Sequence, residues 1–450
     1  MGVLNRFTKR LLAPLLLAAA AALAAAAALS PLPPVPPPPP PPLPRGGAAC
    51  ASALDCQLNG ACVAGACVCG AAWTGAACGA LSLLPAVRGA GFGGLGSPAS
   101  SWGAGAARDP LTGRFVMMVD EMSLACGLGT WGRNSRCVLA AADSPLGPYA
   151  RTQVLVDAWC HGSSLARDPL SGRWVFLHMG NTAGRNADDC AQGCAGGVTP
   201  PNATSGACGA PSGAVNYTAG AFVSTGPDAA GPYELAPQLV DGANCEPFFL
   251  PSGAMLFACP MSGSSPAPDC GSPGRNAFLH VLRAESLDAA LAGNVTQLNL
   301  TYSPAGTNGS VTMCLEWEDQ NIWVDENGFM HALMHAFRGQ NTTYPLPGCV
   351  DRGDGQGFVP PGCTALGGHA FSLDGGHWWI SPDPAYGPEV RFDDGTAVTF
   401  RARERPHIIA DANGAAAYFV SAVGDPGPGG NTGVPGADHS FTLVQQLGAL

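Results

Sequence analysis

The side chains able to do chemistry in this 450-residue chain are few. Glu246, in Cys245-Glu246-Pro247, and the adjacent pair Glu318-Asp319 are the carboxylates suited to acid–base work. Two carboxylates suit cleavage of a bond to oxygen, because one protonates the leaving oxygen while the other activates water or attacks. Their surroundings must then hold the two pKa values apart. Arg405 would bind a hydroxyl or, through its bidentate fork, a carboxylate. His161 and His407 are further hydroxyl partners, and Trp102, Trp131 and Trp317 are candidate stacking surfaces. Lys9 is the only lysine, which excludes a Walker A, Schiff-base or kinase-type lysine beyond it. No Ser-His-Asp order or glycine-rich phosphate loop is present. A formal net charge of −11 argues against a nucleic-acid partner.

Repeated hairpins position these residues. Ala107-Arg108-Asp109-Pro110-Leu111-Thr112-Gly113-Arg114-Phe115 is nearly copied at Ala166–Trp174. The same frame returns around Asp325-Glu326-Asn327-Gly328 and Asp411-Ala412-Asn413-Gly414, and in shortened form at Leu250-Pro251-Ser252-Gly253. Each is a β-rich run, a tight turn and a second run. A second motif, Gly-Pro-Tyr at 147–149 and 231–233, interleaves with the first. Five such units without a convincing amphipathic helix predict a mainly β chain built as a five-bladed β-propeller over residues 95–450. In such a ring the innermost strands begin at the central channel. Counting back from each turn gives Gly103, Gly162, Glu246, Asp319 and Arg405 as ring positions. Asp109 and Asp168 recur at the turn itself and read as structural. His331 and His335, four apart on one strand, stand about 13 Å from each other, too far to share an ion. No metal or cofactor is implied, although one buried histidine could help hold a structural ion or water in the channel.

The Asp-x-x-Gly hairpins, Ser144-Pro145-Leu146-Gly147-Pro148-Tyr149 and Glu318-Asp319-Gln320-Asn321-Ile322-Trp323 resemble the five-bladed propellers of glycoside hydrolase family 43 and its relatives. The resemblance covers about residues 98–445. It implies a Glu general acid, an Asp general base and an orienting Asp at the channel mouth. Glu246 matches the acid, Asp319 or Glu318 the orienting group, and Arg405 a sugar-hydroxyl or uronate ligand. The first blade departs from the pattern, because Ser101-Trp102-Gly103-Ala104 carries no carboxylate, and the second has His161-Gly162 where an Asp is often found. Two functions follow: a glycosidase acting at the channel mouth, or a non-catalytic glycan-binding or adhesion protein.

The remainder addresses the chain to the secretory pathway. Arg6, Lys9 and Arg10 precede an apolar run from Leu11 to Leu29. Residues 1–30 therefore read as an apolar helix, either an uncleaved type II signal anchor or a cleaved signal peptide. Residues 31–47 form a proline-rich stalk. Between 48 and 80 lie Cys50, Cys56, Cys62, Cys67, Cys69 and Cys78, too short a stretch to fold without crosslinks. Their spacing, with Gly75 between the last two, resembles an epidermal-growth-factor-like (EGF-like) domain. That resemblance implies the pairs Cys50–Cys62, Cys56–Cys67 and Cys69–Cys78, and a spacer or protein-partner role. The chain has 18 cysteines and six glycosylation sequons, at Asn202, Asn216, Asn294, Asn299, Asn308 and Asn341. Both fit an oxidising lumen. Cys126–Cys137 and Cys349–Cys363 are expected as local closures, with Cys160 and Cys245 bracing the channel entrance.

Overall fold

The computed structural model describes residues 45–94, 97, 99–180, 219–236, 239–240, 244–260, 279–305, 316–337, 366–400, 402–424 and 439–448. The expected apolar segment, nearly all of the proline stalk, the Cys349–Cys363 pair and Asn202, Asn216, Asn308 and Asn341 lie outside these residues. Asn294 and Asn299 are exposed. Among the described residues, no helix is long and apolar enough to cross a membrane.

The chain is mainly β. It begins with short strands β1 (Gly46–Ala49), β2 (Gly60–Val63) and β3 (Ala66–Cys69), then β4 (Trp73–Thr74) and β5 (Ala80–Leu81). Disulfides Cys50–Cys62, Cys56–Cys67 and Cys69–Cys78 tie this small module together. Its Trp73 and Leu81 share one apolar cluster with Trp323, Leu333, Tyr386, Ile408 and Phe419. The module therefore packs directly on the sheets that follow.

Five sheets of three or more strands follow the module among the described residues. The first contains β6 (Ser101–Arg108), β7 (Phe115–Met122), β8 (Ser135–Ala142) and β9 (Ala150–Val156); the second, β10 (Cys160–Arg167), β11 (Trp174–Gly180), β12 (Ala219–Ser224) and β13 (Tyr233–Leu235). The third has β14 (Glu246–Phe249), β15 (Met255–Pro260), β16 (Leu279–Ala284) and β17 (Thr296–Gln297). The fourth adds β18 (Thr301–Pro304) to β19 (Glu316–Val324), β20 (Met330–Phe337), β21 (Leu366–Ser372) and β22 (His377–Ile380). A hairpin of β23 (Glu389–Arg391) and β24 (Ala397–Thr399) precedes the fifth sheet, β25 (Arg403–Ala410), β26 (Ala416–Gly424) and β27 (Ser440–Gln446). Contacts run β6–β10–β14–β19–β25 and back to β6, closing a ring of first strands. Phe92 bridges to Thr442 within β27, and Leu83 to Leu447 just past its end. The ring thus enlists chain before residue 95, because β27 would otherwise present an open edge.

The repeated turns work as their composition predicts. The Asp109 carboxylate accepts from the N–H groups of Leu111 and Thr112, and Asp168 accepts from those of Leu170 and Ser171. Asp325 and Asp411 accept from Asn327 and Asn413 in the same way. Such Asx turns satisfy backbone donors locally. In each Gly-Pro-Tyr motif the Gly–Pro bond is cis and the tyrosine hydroxyl donates back, Tyr149 to Pro145 O at 3.0 Å and Tyr233 to Ala229 O at 2.8 Å.

Candidate functional site: the central channel

The innermost strands carry a common irregularity. Register shifts interrupt the first strands at Ser101/Ala104, His161/Ser164, Glu318/Asn321 and Glu404/His407. At each of these bulges one residue adopts a left-handed backbone: Gly103 (φ 78°), Gly162 (64°), Asp319 (58°) and Arg405 (55°). Asn244 (φ 53°), just before β14, does the same in the third sheet. Each stands six residues before the position that opens its turn: Asp109, Asp168, Leu250, Asp325 or Asp411. The third ring residue is therefore Asn244 instead of the expected Glu246. The shortened turn there has Leu250 where the others have Asp, so a count keyed to Asp misses it. The constant spacing of six was the available signal.

This ring is tightly filled. Arg405 donates through Nη1 to Asp319 Oδ1 at 2.9 Å and Asn244 Oδ1 at 3.2 Å, and through Nη2 to Ser163 O at 3.4 Å. Its own N–H donates to Asp319 Oδ2 at 3.3 Å. A Cβ on Gly103 would stand 2.5 Å from Arg405 Cβ, and one on Gly162 would stand 2.5 Å from Asn244 Oδ1. The two glycines thus make room for the arginine and its partners.

A second ring lies two residues further along each strand: Gly105, Ser164, Glu246, Asn321 and His407. Here Asn321 Nδ2 donates to Glu246 Oε1 at 2.7 Å, and Asn321 Oδ1 accepts from Ile408 N at 2.9 Å. His407 Nε2 donates to Ala106 O at 2.8 Å, and its Nδ1 sits 2.5 Å from Glu246 Oε1. Burial disfavours the His407 cation, but the Glu246 charge and hydrogen bond outweigh it and raise the pKa. Glu246 is thus the partner of a histidine favouring its charged form. The cavity between the rings, lined by Ser163, Glu246, Asp319 and Arg405 among others, has a water-accessible volume of about 10 Å³. That is room for roughly one water.

The structure supplies a first-sheet carboxylate that the ring positions lacked. Asp120, on β7 and fully buried, accepts from Gly162 N at 2.7 Å and Ser163 N at 3.1 Å. Burial pushes it up to about 6, against the opposing pull of Arg405 and these donors. Its position on the second strand hid it, because counting reached only first strands. His161 Nδ1 lies 3.7 Å from Asp120 Oδ2, and burial, with the Arg405 charge, lowers His161 to about 3. A neutral imidazole stands there.

Other expected residues fall elsewhere. Trp102 is 4% exposed and packs with Met122, Cys126 and Ala422, so it offers no open stacking face. Trp131 lies 5.1 Å from His161, ring centre to ring centre. In the backbone register Glu318 stands opposite His335 across β19 and β20. His335 joins Asp319 and Glu404 in a set whose ligand atoms lie within 4.8 Å of one another, the described residues most able to hold a cation in the channel. Any cation there would compete with Arg405 for Asp319. His331 instead contacts Asp325 and His369. Cys137 bridges to Cys160 and Cys245 to Cys259, bracing two first strands. The expected Cys126–Cys137 pair does not form, because β10 brings Cys160 to Cys137; Cys126 is itself in a disulfide.

No family model matches the sequence, and no curated protein matches it. Solved structures similar in fold include a family 43 glycoside hydrolase from Xanthomonas citri, at 10% identity and a TM-score of 0.42, covering 77% of this chain and 87% of that one. A family 43 β-xylosidase/α-arabinofuranosidase from a compost metagenome has 9% identity and a TM-score of 0.44, covering 82% and 94%. A family 117 glycoside hydrolase from Zobellia galactanivorans has 8% identity and a TM-score of 0.42, covering 80% and 88%. Likeness this distant assigns no activity to the chain.

Proposed function

We propose that the chain is a carbohydrate-active protein of the secretory lumen or cell exterior, a five-bladed propeller that binds glycan without cleaving it at Glu246. The observation that carries this is the Asp319–Arg405 ion pair. It lies two residues closer to the strand starts than Glu246, beside the same small cavity. An acid must come within hydrogen-bond reach of the oxygen it protonates, and Glu246 Oε1 is already engaged by Asn321 Nδ2 at 2.7 Å and His407 Nδ1 at 2.5 Å. The glycan assignment rests on the hairpin and Glu-Asp-Gln-Asn motifs that resemble family 43. The disulfide module serves as an EGF-like spacer or protein-contact unit, and the N-terminal apolar run as anchor or signal.

A hydrolytic reading keeps one specific support. Asp120 is held near 6 beside the channel, so one carboxyl is poised to carry a proton while Asp319 stays paired with Arg405. One experiment separates the two. Full-length protein is offered aryl arabinosides, xylosides and galactosides, and separately the matching oligosaccharides in a calorimetric binding assay. Saturable oligosaccharide binding with no sugar release is expected. Release that disappears in both Glu246→Gln and Asp120→Asn would establish hydrolysis, and absence of both binding and release would remove the carbohydrate assignment.

A further inference from the structure

We propose that a hydrogen-bonded histidine pair on the fourth sheet latches the disulfide-rich module in place, and that acid opens this latch. The device lies away from the channel and is independent of the glycan reading. Its contact is aromatic. Trp73 of the module lies 4.7 Å from His369 on β21 and 6.2 Å from His331 on β20, ring centre to ring centre. Trp323 stacks on His331 at 5.1 Å. Both histidines are buried, His331 at 1% and His369 at 0% exposure. Trp73 covers them from the module side, so lifting the module wets them. Beside Trp73, Leu81 N donates to Ala385 O at 2.8 Å, a backbone bond that crosses the same contact.

The hydrogen bonding leaves no place for a further proton. His331 Nδ1 and His369 Nε2 stand 3.2 Å apart, and a bond between two ring nitrogens holds one proton. His331 Nε2 faces Asp325 Oδ2 at 3.4 Å, which calls for an N–H there. The remaining nitrogen, His369 Nδ1, is buried without a partner. A proton placed on it makes the pair cationic and strands a buried donor. Burial, then the charge on His331, holds His369 well below the usual imidazole range. Other charged groups on the packed elements are engaged elsewhere. Arg45 donates to Gly70 O and Ala71 O, and Asp55 accepts from the N–H groups of Ala51 and Ser52. Asp383 meets the module at Gly79, and Glu326 is exposed. His335 faces Glu404, and Arg403 lies over the ring of Tyr386, a phenol that burial keeps protonated. The fifth sheet adds the apolar Ile408 and Phe419. Once released, His369 has the ordinary value of about 6.5. Its contribution to docking is therefore complete above about 6.5 and lost as pH falls below it. One proton taken up on release raises the released fraction about tenfold per pH unit in that range.

The test is hydrogen exchange of the full chain between pH 8 and pH 4.5, read by mass spectrometry on the peptide spanning Leu81. Rates are taken relative to an unstructured peptide at the same pH, with peptides of β7 as the internal reference. Protection at Leu81 should be level above pH 6.5 and fall about tenfold per unit below it. It should also be weaker than that of β7 at every pH, because the module opens without the ring. His369→Phe keeps a ring against Trp73 and removes the proton site, so the fall should flatten. Asp325→Asn keeps an acceptor for the turn but removes the counter-charge of His331, so the fall should steepen; this variant decides the matter if His369→Phe does not fold. The proposal fails if protection at Leu81 does not change with pH, or if it equals that of β7. It fails equally if His369→Phe falls as steeply as the parent, or if Asp325→Asn gives a shallower fall.

Discussion

Replacing Asp319 by Asn probes whether the channel ring is a structural closure. The Asp319 and Arg405 side chains are 3% and 9% exposed, so the pair is largely removed from solvent. With charge centres about 4 Å apart and an effective dielectric near 20, their attraction is roughly 4 kcal/mol. Desolvating both ions offsets much of this, but removing one partner leaves the other buried and uncompensated, at about 3–5 kcal/mol. Asp319→Asn should therefore destabilise by that amount, and so should Arg405→Met, which strands the Asp319 carboxylate. The double substitution strands neither charge, so its cost should fall short of the sum by about 2–3 kcal/mol. Urea midpoints of the four proteins, followed by tryptophan fluorescence, give the cycle. Single substitutions costing under about 1 kcal/mol with no coupling would refute the idea of a buried closing pair, and with it the observation that carries the non-catalytic reading.

Gly103→Ala forces a left-handed backbone on a residue with a Cβ and drives that Cβ to within 2.5 Å of Arg405 Cβ. The backbone alone should cost about 1–3 kcal/mol, seen as a lowered urea midpoint; an unchanged midpoint would contradict the ring geometry. Cys137→Ser opens a disulfide closing a 23-residue separation, for a loss of roughly 3 kcal/mol by the chain-entropy relation. The same loss should follow from Cys160→Ser, and unequal losses would argue against a shared bridge. Stability should also depend on pH through opposed groups. His161 and His178, lowered by burial to about 3 and about 4, stay neutral when folded. Their contribution is present above the unfolded value of about 6.5 and is lost progressively as pH falls below it. Asp120, raised to about 6, has the reverse sign: its contribution is complete below about 3.8 and lost as pH rises through 6. Asp120→Asn removes that offset, so its urea midpoint should fall more between pH 7 and pH 5 than the parent's; parallel profiles would contradict the assignment.

The local features were legible in the sequence because each is fixed by neighbours in the chain. The Asp-capped turns need an acceptor two residues before a free N–H, and the short Cys50–Cys78 stretch has too little apolar surface to fold uncrosslinked. Four ring positions, Gly103, Gly162, Asp319 and Arg405, followed from a fixed spacing to those turns. The tertiary structure decided what crosses between sheets. Closure of the ring brought Asp120 from a second strand to the N–H groups of Gly162 and Ser163. It also joined Glu246 to His407, 161 residues away. Such pairings depend on how sheets twist and pack around a common axis, and on which charges are buried together. The types and spacing of residues along one strand do not contain that information.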